Sequence, residues 1–206
     1  MPSAAGSGSR LRVVGLVASA GGLDALSSVL TKLPADFPGA IVALQHLEPQ
    51  RPSRLAEILG KRTALPVKLA EDGDTLSPGV VLVAPPARHT LVCPDGTVTL
   101  IWSGERPPSR PSADLLLTSM AISFGARAVA VVLSGSGNDG TAGAAAVKRL
   151  GGVVVAQDRV TSQHFGMPGS AIGSDQIVDL VLPLERIGAS LLELVSGART
   201  TPRPPR

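Results

Sequence analysis

Six short runs of apolar, mostly β-branched residues punctuate the chain, at 12–18, 40–45, 80–84, 128–133, 152–156 and 177–180. They do not alternate with polar residues, which is the pattern of strands buried on both faces of a sheet. Stretches of helical periodicity separate most of them, at 23–33, 52–61, 112–124, 141–150 and 184–195. This alternation predicts an α/β fold with a doubly wound, mostly parallel, Rossmann-like sheet. One pair of runs breaks the rhythm. Residues 90–93 and 97–101 flank Pro94-Asp95-Gly96, a turn signal that predicts a β-hairpin at one edge of the sheet. Residues 103–110, with Pro107 and Pro108, are then expected to cross the surface to a helix capped by Ser112.

Composition narrows the function classes. The 206 residues suit one substantial domain, and 44% hydrophobic against 17% charged residues exclude a disordered chain. Three Phe, one Trp and no Tyr leave no stacking platform for single-stranded nucleic acid. The net charge is +3, yet five basic residues (Arg10, Arg12, Arg199, Arg203 and Arg206) lie in acid-free ends, so the body between them carries a net −2. A nucleic-acid partner is therefore not expected. Residues 1–11 and the Pro/Arg-rich 198–206 read as a disordered arm and tail around a domain at 12–197. The single cysteine, Cys93, excludes an internal disulfide and reads as a small buried hydrophobe. Arg10, Arg12 and the apolar run ending in Ala18-Ser19-Ala20 imitate a signal peptide, but that run is short and interrupted by glycine. A cytoplasmic monomer without membrane insertion is the expectation.

Ligands of open α/β sheets bind outside the carboxyl ends of the strands. Ser19-Ala20-Gly21-Gly22 follows the first expected strand, Gln45-His46 the second, and Ser134-Gly135-Ser136-Gly137-Asn138-Asp139-Gly140 the run ending at Leu133. A serine, a histidine and an aspartate thereby reach one sheet edge from three strands, the residue set of an activated hydroxyl nucleophile. Ser19 would attack, His46 would take its proton, and Asp139 would hold the imidazole in the required tautomer. Backbone N–H groups at Ala20 and the start of the following helix could stabilise an oxyanion, and Gly21 and Gly22 admit close substrate approach. Such a base predicts activity that rises with pH through the reference histidine value of about 6.5. No metal or organic cofactor is needed.

Other readings of the same residues stand beside this one. Ser19 could be only a helix N-cap, His46 a strand-end histidine, and Asp139 a cap for the helix near Thr141. His89 and His164 also read as loop histidines near that edge. Gly135, Gly137 and Gly140 form a G-x-G-x-x-G pattern, with Asp158 about 20 residues on where a ribose-binding acid is expected. A dinucleotide-binding protein is thus a competing reading, although Asp139 would put a carboxylate inside the pyrophosphate loop. A binding module that keeps the fold without the chemistry is a third.

The local sequence adds a family likeness. Val17-Ala18-Ser19-Ala20-Gly21-Gly22, Gln45-His46, Ala70-Glu71-Asp72-Gly73, Val83-Ala84-Pro85, Arg110-Pro111-Ser112-Ala113-Asp114, the 133–140 block and Phe165-Gly166-Met167-Pro168 closely resemble, in order, the catalytic domain of the bacterial chemotaxis protein-glutamate methylesterases. The resemblance runs from about residue 12 to 195. It implies a cytoplasmic serine hydrolase that removes methyl from glutamate γ-methyl esters on chemoreceptor helices, and in many members deamidates receptor glutamines. Ser19, His46 and Asp139 match the family's nucleophile, base and carboxylate. Ser136 falls where the family commonly has a methionine whose N–H is assigned to the oxyanion hole, and Ala20 where it usually has threonine. Arg110 and Asp114 sit in a matched block and could orient receptor helices, with a solvated or locally paired charge as the plainer role. Family members usually carry a phosphoacceptor receiver domain first. About a dozen residues precede the first expected strand here, so switching by a receiver in the same chain is not expected.

Overall fold

The structure, a computed structural model, describes residues 11–47, 53–102 and 111–197. The expected arm up to residue 10, the tail from 198, the surface crossing at 103–110 with Arg110, and Pro52 lie outside the described residues.

Seven strands form one sheet: β1 (Val13–Ala18), β2 (Ala40–Gln45), β3 (Val67–Leu69), β4 (Val81–Val83), β7 (Ala128–Val132), β8 (Val153–Gln157) and β9 (Leu180–Leu182). Their order is β3-β4-β2-β1-β7-β8-β9, and every neighbouring pair is parallel. Among the described residues six α-helices accompany them, five between strands and the last after β9: α1 (Gly22–Thr31), α2 (Leu55–Gly60), α3 (Ala113–Phe124), α4 (Thr141–Arg149), α5 (Gly166–Ile172) and α6 (Leu184–Ser196). Alternate residues of β1 point to opposite cores. Val13 and Val17 join the side chains of α3 and α4, while Val14, Leu16 and Ala18 join those of α1, α2 and α6. Helices on both faces explain why the strand sequences are continuously apolar: neither face meets water. Among the described residues no helix is long and apolar enough to cross a membrane.

The expected doubly wound sheet is present, with corrections at its margins. β9 begins three residues later than the run at 177–180, and Ile177 is buried in the preceding turn. β3 and α5 are additions. β3 is three residues long and carries Lys68 at a half-wet edge, so it has no apolar run to announce it. α5 holds Pro168 in its first turn, where a missing N–H breaks no helical bond. The hairpin exists as β5 (His89–Val92) and β6 (Val98–Ile101), but it is a separate two-stranded sheet rather than part of the edge of the main one. It is fastened to α3, where the Val92 N–H donates to Ser119 Oγ at 3.0 Å and Ser123 Oγ donates to the Val92 carbonyl at 2.8 Å. Cys93 is half-buried rather than buried, with Sγ 3.5 Å from Thr99 Oγ1.

Candidate active site

Chain order runs outward from β1 in both directions, to β2 on one side and to β7 on the other, which makes the β1/β7 boundary the topological switch point. The register aligns the strand ends there. Ala18 pairs with Gln45, Val17 with Val132, the Ser19 N–H donates to the Ser134 carbonyl at 3.0 Å, and the His46 N–H to the Ala18 carbonyl at 3.1 Å. Ser19, His46 and the 134–140 loop therefore leave the sheet side by side.

Ser19 is not a helix cap. The N-cap of α1 is Gly21, at φ 74, and no side chain caps that helix. A methyl group on Gly21 would stand 2.6 Å from Gln163 Oε1 and 2.9 Å from Ser134 Oγ, so the turn is closed over by a residue far along the chain. A methyl group on Gly135 would meet Ser19 Cβ at 2.9 Å as well as the Met167 sulfur, which places the two loops in direct contact. Ser134 ties them together: Oγ donates to the Ala20 carbonyl at 2.9 Å and accepts the His164 N–H at 3.0 Å. The N–H groups of Ala20 and Ser136, at this contact, donate to no acceptor among the described residues.

His46 and Asp139 meet, Nε2 to Oδ2, at 2.8 Å, with side chains 16% and 15% exposed. The contact fixes the tautomer: Nε2 carries the hydrogen that Asp139 accepts, which leaves the lone pair on Nδ1. Asp139 also accepts from Ala113 N at 2.8 Å, Asp114 N at 2.9 Å and Ser112 Oγ at 3.1 Å. Burial pushes its carboxyl pKa up, but His46 and the backbone N–H groups of Asp114 and Ala113 outweigh that and hold it below the ordinary aspartate value. The start of α3 is thus the seat of this carboxylate.

Asp139 does not cap the helix that follows it. That is done by Asp114, whose Oδ1 accepts the N–H groups of Gly140 at 2.9 Å and Gly143 at 2.8 Å. The two aspartates exchange caps, each sitting on the other's helix. Burial first, and then the neighbouring Asp139 charge, raise the Asp114 pKa despite those two N–H bonds. Of the two roles considered for Asp114, local pairing is the one present. The exchange also disposes of the dinucleotide reading, because the N–H groups a pyrophosphate would need at the start of α4 already belong to Asp114. Asp158, its expected ribose acid, instead holds its own loop through Thr161 N at 2.9 Å and Thr161 Oγ1 at 2.7 Å.

His164 is an exposed loop residue whose backbone carbonyl accepts the Gly135 N–H at 2.8 Å. His89 is not in a loop: it opens β5, is 1% exposed, and its Nδ1 accepts the Ser112 N–H at 3.1 Å. Sequence reading passed over Ser112 as a site residue, over Gln163, and over Gln157, whose buried Oε1 accepts the Ser134 N–H at 2.8 Å. Only the cap motif Pro111-Ser112-Ala113-Asp114 carried a readable signal, and it pointed to a helix start rather than to Asp139.

Residues 14–191 match the family model described as CheB methylesterase. The chain is 40% identical over 192 residues to the protein-glutamate methylesterase/protein-glutamine glutaminase of Moorella thermoacetica, covering 91% of this chain and 45% of that protein. It is 40% identical over 183 residues to the protein-glutamate methylesterase FrzG of Myxococcus xanthus, covering 89% of this chain and 54% of that one. The chain thus spans about half the length of the curated relatives it matches. The crystal structure of the Thermotoga maritima CheB methylesterase catalytic domain superposes with a TM-score of 0.85 at 38% identity, covering 90% of this chain and 99% of that chain.

Proposed function

The chain belongs to the CheB methylesterase family, and from that premise we propose that it is a cytoplasmic serine hydrolase acting on glutamate γ-methyl esters of chemoreceptor cytoplasmic helices. The observation that carries the reading is the 2.8 Å contact of His46 Nε2 with a half-buried, multiply bonded Asp139 at the switch point where Ser19 also emerges. With Nε2 committed to Asp139, Nδ1 is the atom that receives the Ser19 proton.

Ser19 Oγ attacks the ester carbonyl carbon as its proton passes to His46 Nδ1. The resulting oxyanion is met by the N–H groups of Ala20 and Ser136. Collapse breaks the bond to methoxide, which leaves as methanol with the proton from His46. Water then attacks the glutamyl ester of Ser19 with His46 again as base, releasing the glutamate carboxylate and restoring the serine. A backbone N–H serves whether position 136 is methionine or serine, so Ser136 keeps the donor. With a glutamine side chain as substrate the same sequence would expel ammonia, the deamidation named for the Moorella relative.

Incubation with methylated receptor cytoplasmic fragments tests the reading. Methanol release and fluorophosphonate labelling are expected from the wild type, with both abolished in Ser19→Ala at unchanged melting temperature. Labelling without methanol release from several receptors would keep the hydrolase and overturn the substrate. Absence of both would leave a binding module on the same fold.

A further inference from the structure

The first four N–H groups of a helix have no partner within it, so their acceptors show what holds the helix end. At α3 every one is accounted for. Leu115 N donates to Ser112 Oγ at 3.4 Å, Ala113 N and Asp114 N donate to Asp139, and Ser112 N donates to Nδ1 of His89. Three of the donors that seat Asp139, namely Ser112 Oγ, Ala113 N and Asp114 N, thus belong to a single turn. Besides Asp139, which takes the Ser112 hydroxyl, His89 reaches in from outside that turn and holds the backbone N–H of its leading residue.

We propose that His89 is a positioning residue for the Asp139 carboxylate: by accepting the Ser112 N–H it fixes the turn on which Asp139 is seated, and through Asp139 the aim of the His46 ring. The inference rests on the triad reading above. It gives the hairpin a purpose, since β5 is locked to α3 at Val92 by Ser119 and Ser123 and presents His89 from its other end. His89 and Ser112 are each 1% exposed, so water cannot replace the bond between them. Acceptance at Nδ1 also requires the tautomer with hydrogen on Nε2.

The test compares two polar replacements. In His89→Asn the amide oxygen falls near the Nδ1 position and can still accept from Ser112. In His89→Gln it falls near Nε2 and cannot. With a methyl-ester substrate, His89→Gln is expected to lower kcat about 10- to 100-fold with KM within about twofold, because a displacement near 1 Å costs up to about 100-fold. His89→Asn is expected to retain kcat within about fivefold. Carbon NMR titration of the Asp139 carboxyl should show its pKa rising toward the ordinary aspartate value in His89→Gln and staying low in His89→Asn.

Equal losses in the two variants, a loss confined to KM, or an Asp139 titration indifferent to both would overturn the proposal. If the wild type hydrolyses no ester, the triad reading fails, and the Asp139 titration still decides whether His89 seats that carboxylate.

Discussion

Two carboxylates in this protein are held in the ionised form by opposite means. Glu57, on α2, lies between Arg54 at 3.0 Å and Lys61 at 2.7 Å; hydrogen bonds from both cations lower its pKa to about 2. All three side chains are largely in water, with exposures of 45%, 73% and 72%. Asp139, in the loop before α4 and seated against the start of α3, faces no Lys or Arg among the described residues: its partners are one imidazole, one hydroxyl and two backbone N–H groups. The carboxylate whose pKa falls to about 2 is the exposed one. An exposed ion pair exchanges one well-solvated arrangement for another and is screened by salt. A half-buried carboxylate leaves donors with nothing to bond if it is removed.

The strongest way to break that comparison is Asp139→Ala. On the proposed mechanism, loss of the group that fixes the His46 tautomer is expected to lower kcat about 10⁴-fold, the cost of disabling the carboxylate of a Ser-His-Asp triad. The orphaned donors on α3 should cost at least about 2 kcal/mol in urea unfolding. The pH dependence follows from the sign of the shift. Because the folded Asp139 pKa is depressed, its contribution to stability is present above the ordinary carboxylate value of about 3.9 and is lost as pH falls through the folded value. Asp139→Asn should therefore flatten the acid limb of a melting-temperature profile. An unchanged limb would mean that the α3 turn does not hold the charge.

Asp114 sharpens the comparison with a smaller effect. Asp114→Ala removes the cap on Gly140 and Gly143 and should cost about 1 to 2 kcal/mol at pH 7. Here the shift is upward, so the contribution linked to protonation is present below the ordinary aspartate value and lost as pH rises through the folded one. Asp114→Asn keeps an acceptor for both N–H groups without the charge beside Asp139. It should match or exceed the wild type in urea midpoint at neutral pH. A loss equal to that of alanine would show that charge, not acceptance, makes the cap.

Glu57→Gln is expected to do least. Despite the depressed pKa, the melting temperature at physiological salt should move by no more than about 1 °C. A drop of several degrees would erase the distinction between the two carboxylates.

The main sheet was legible because its strands are buried on both faces, which forces continuous apolar runs such as Val13 to Ala18 and Ala128 to Val132. Elements without that constraint escaped. β3 is half-wet, and α5 carries Gly166, Pro168 and Gly169 in seven residues. Convergence of Ser19, His46 and the 134–140 loop was readable from the rule that sites gather at the carboxyl ends of strands. The role of Ser112 was half-readable. Its cap motif announces the start of α3, but nothing local says that this start meets a loop 27 residues later.

By itself the sequence determined the α/β class, the start of α3 and the sheet edge at which Ser19, His46 and the 134–140 loop gather, since these depend on periodicity and on neighbours a few residues apart. Its blocks also carried the family likeness. Tertiary structure decided how Asp139 is held: by the turn of α3 rather than as a cap of α4, with Asp114 taking the reciprocal place and His89 reaching in from the hairpin. The physical reason is that a buried donor must find an acceptor, and which one it finds depends on packing between segments distant in sequence.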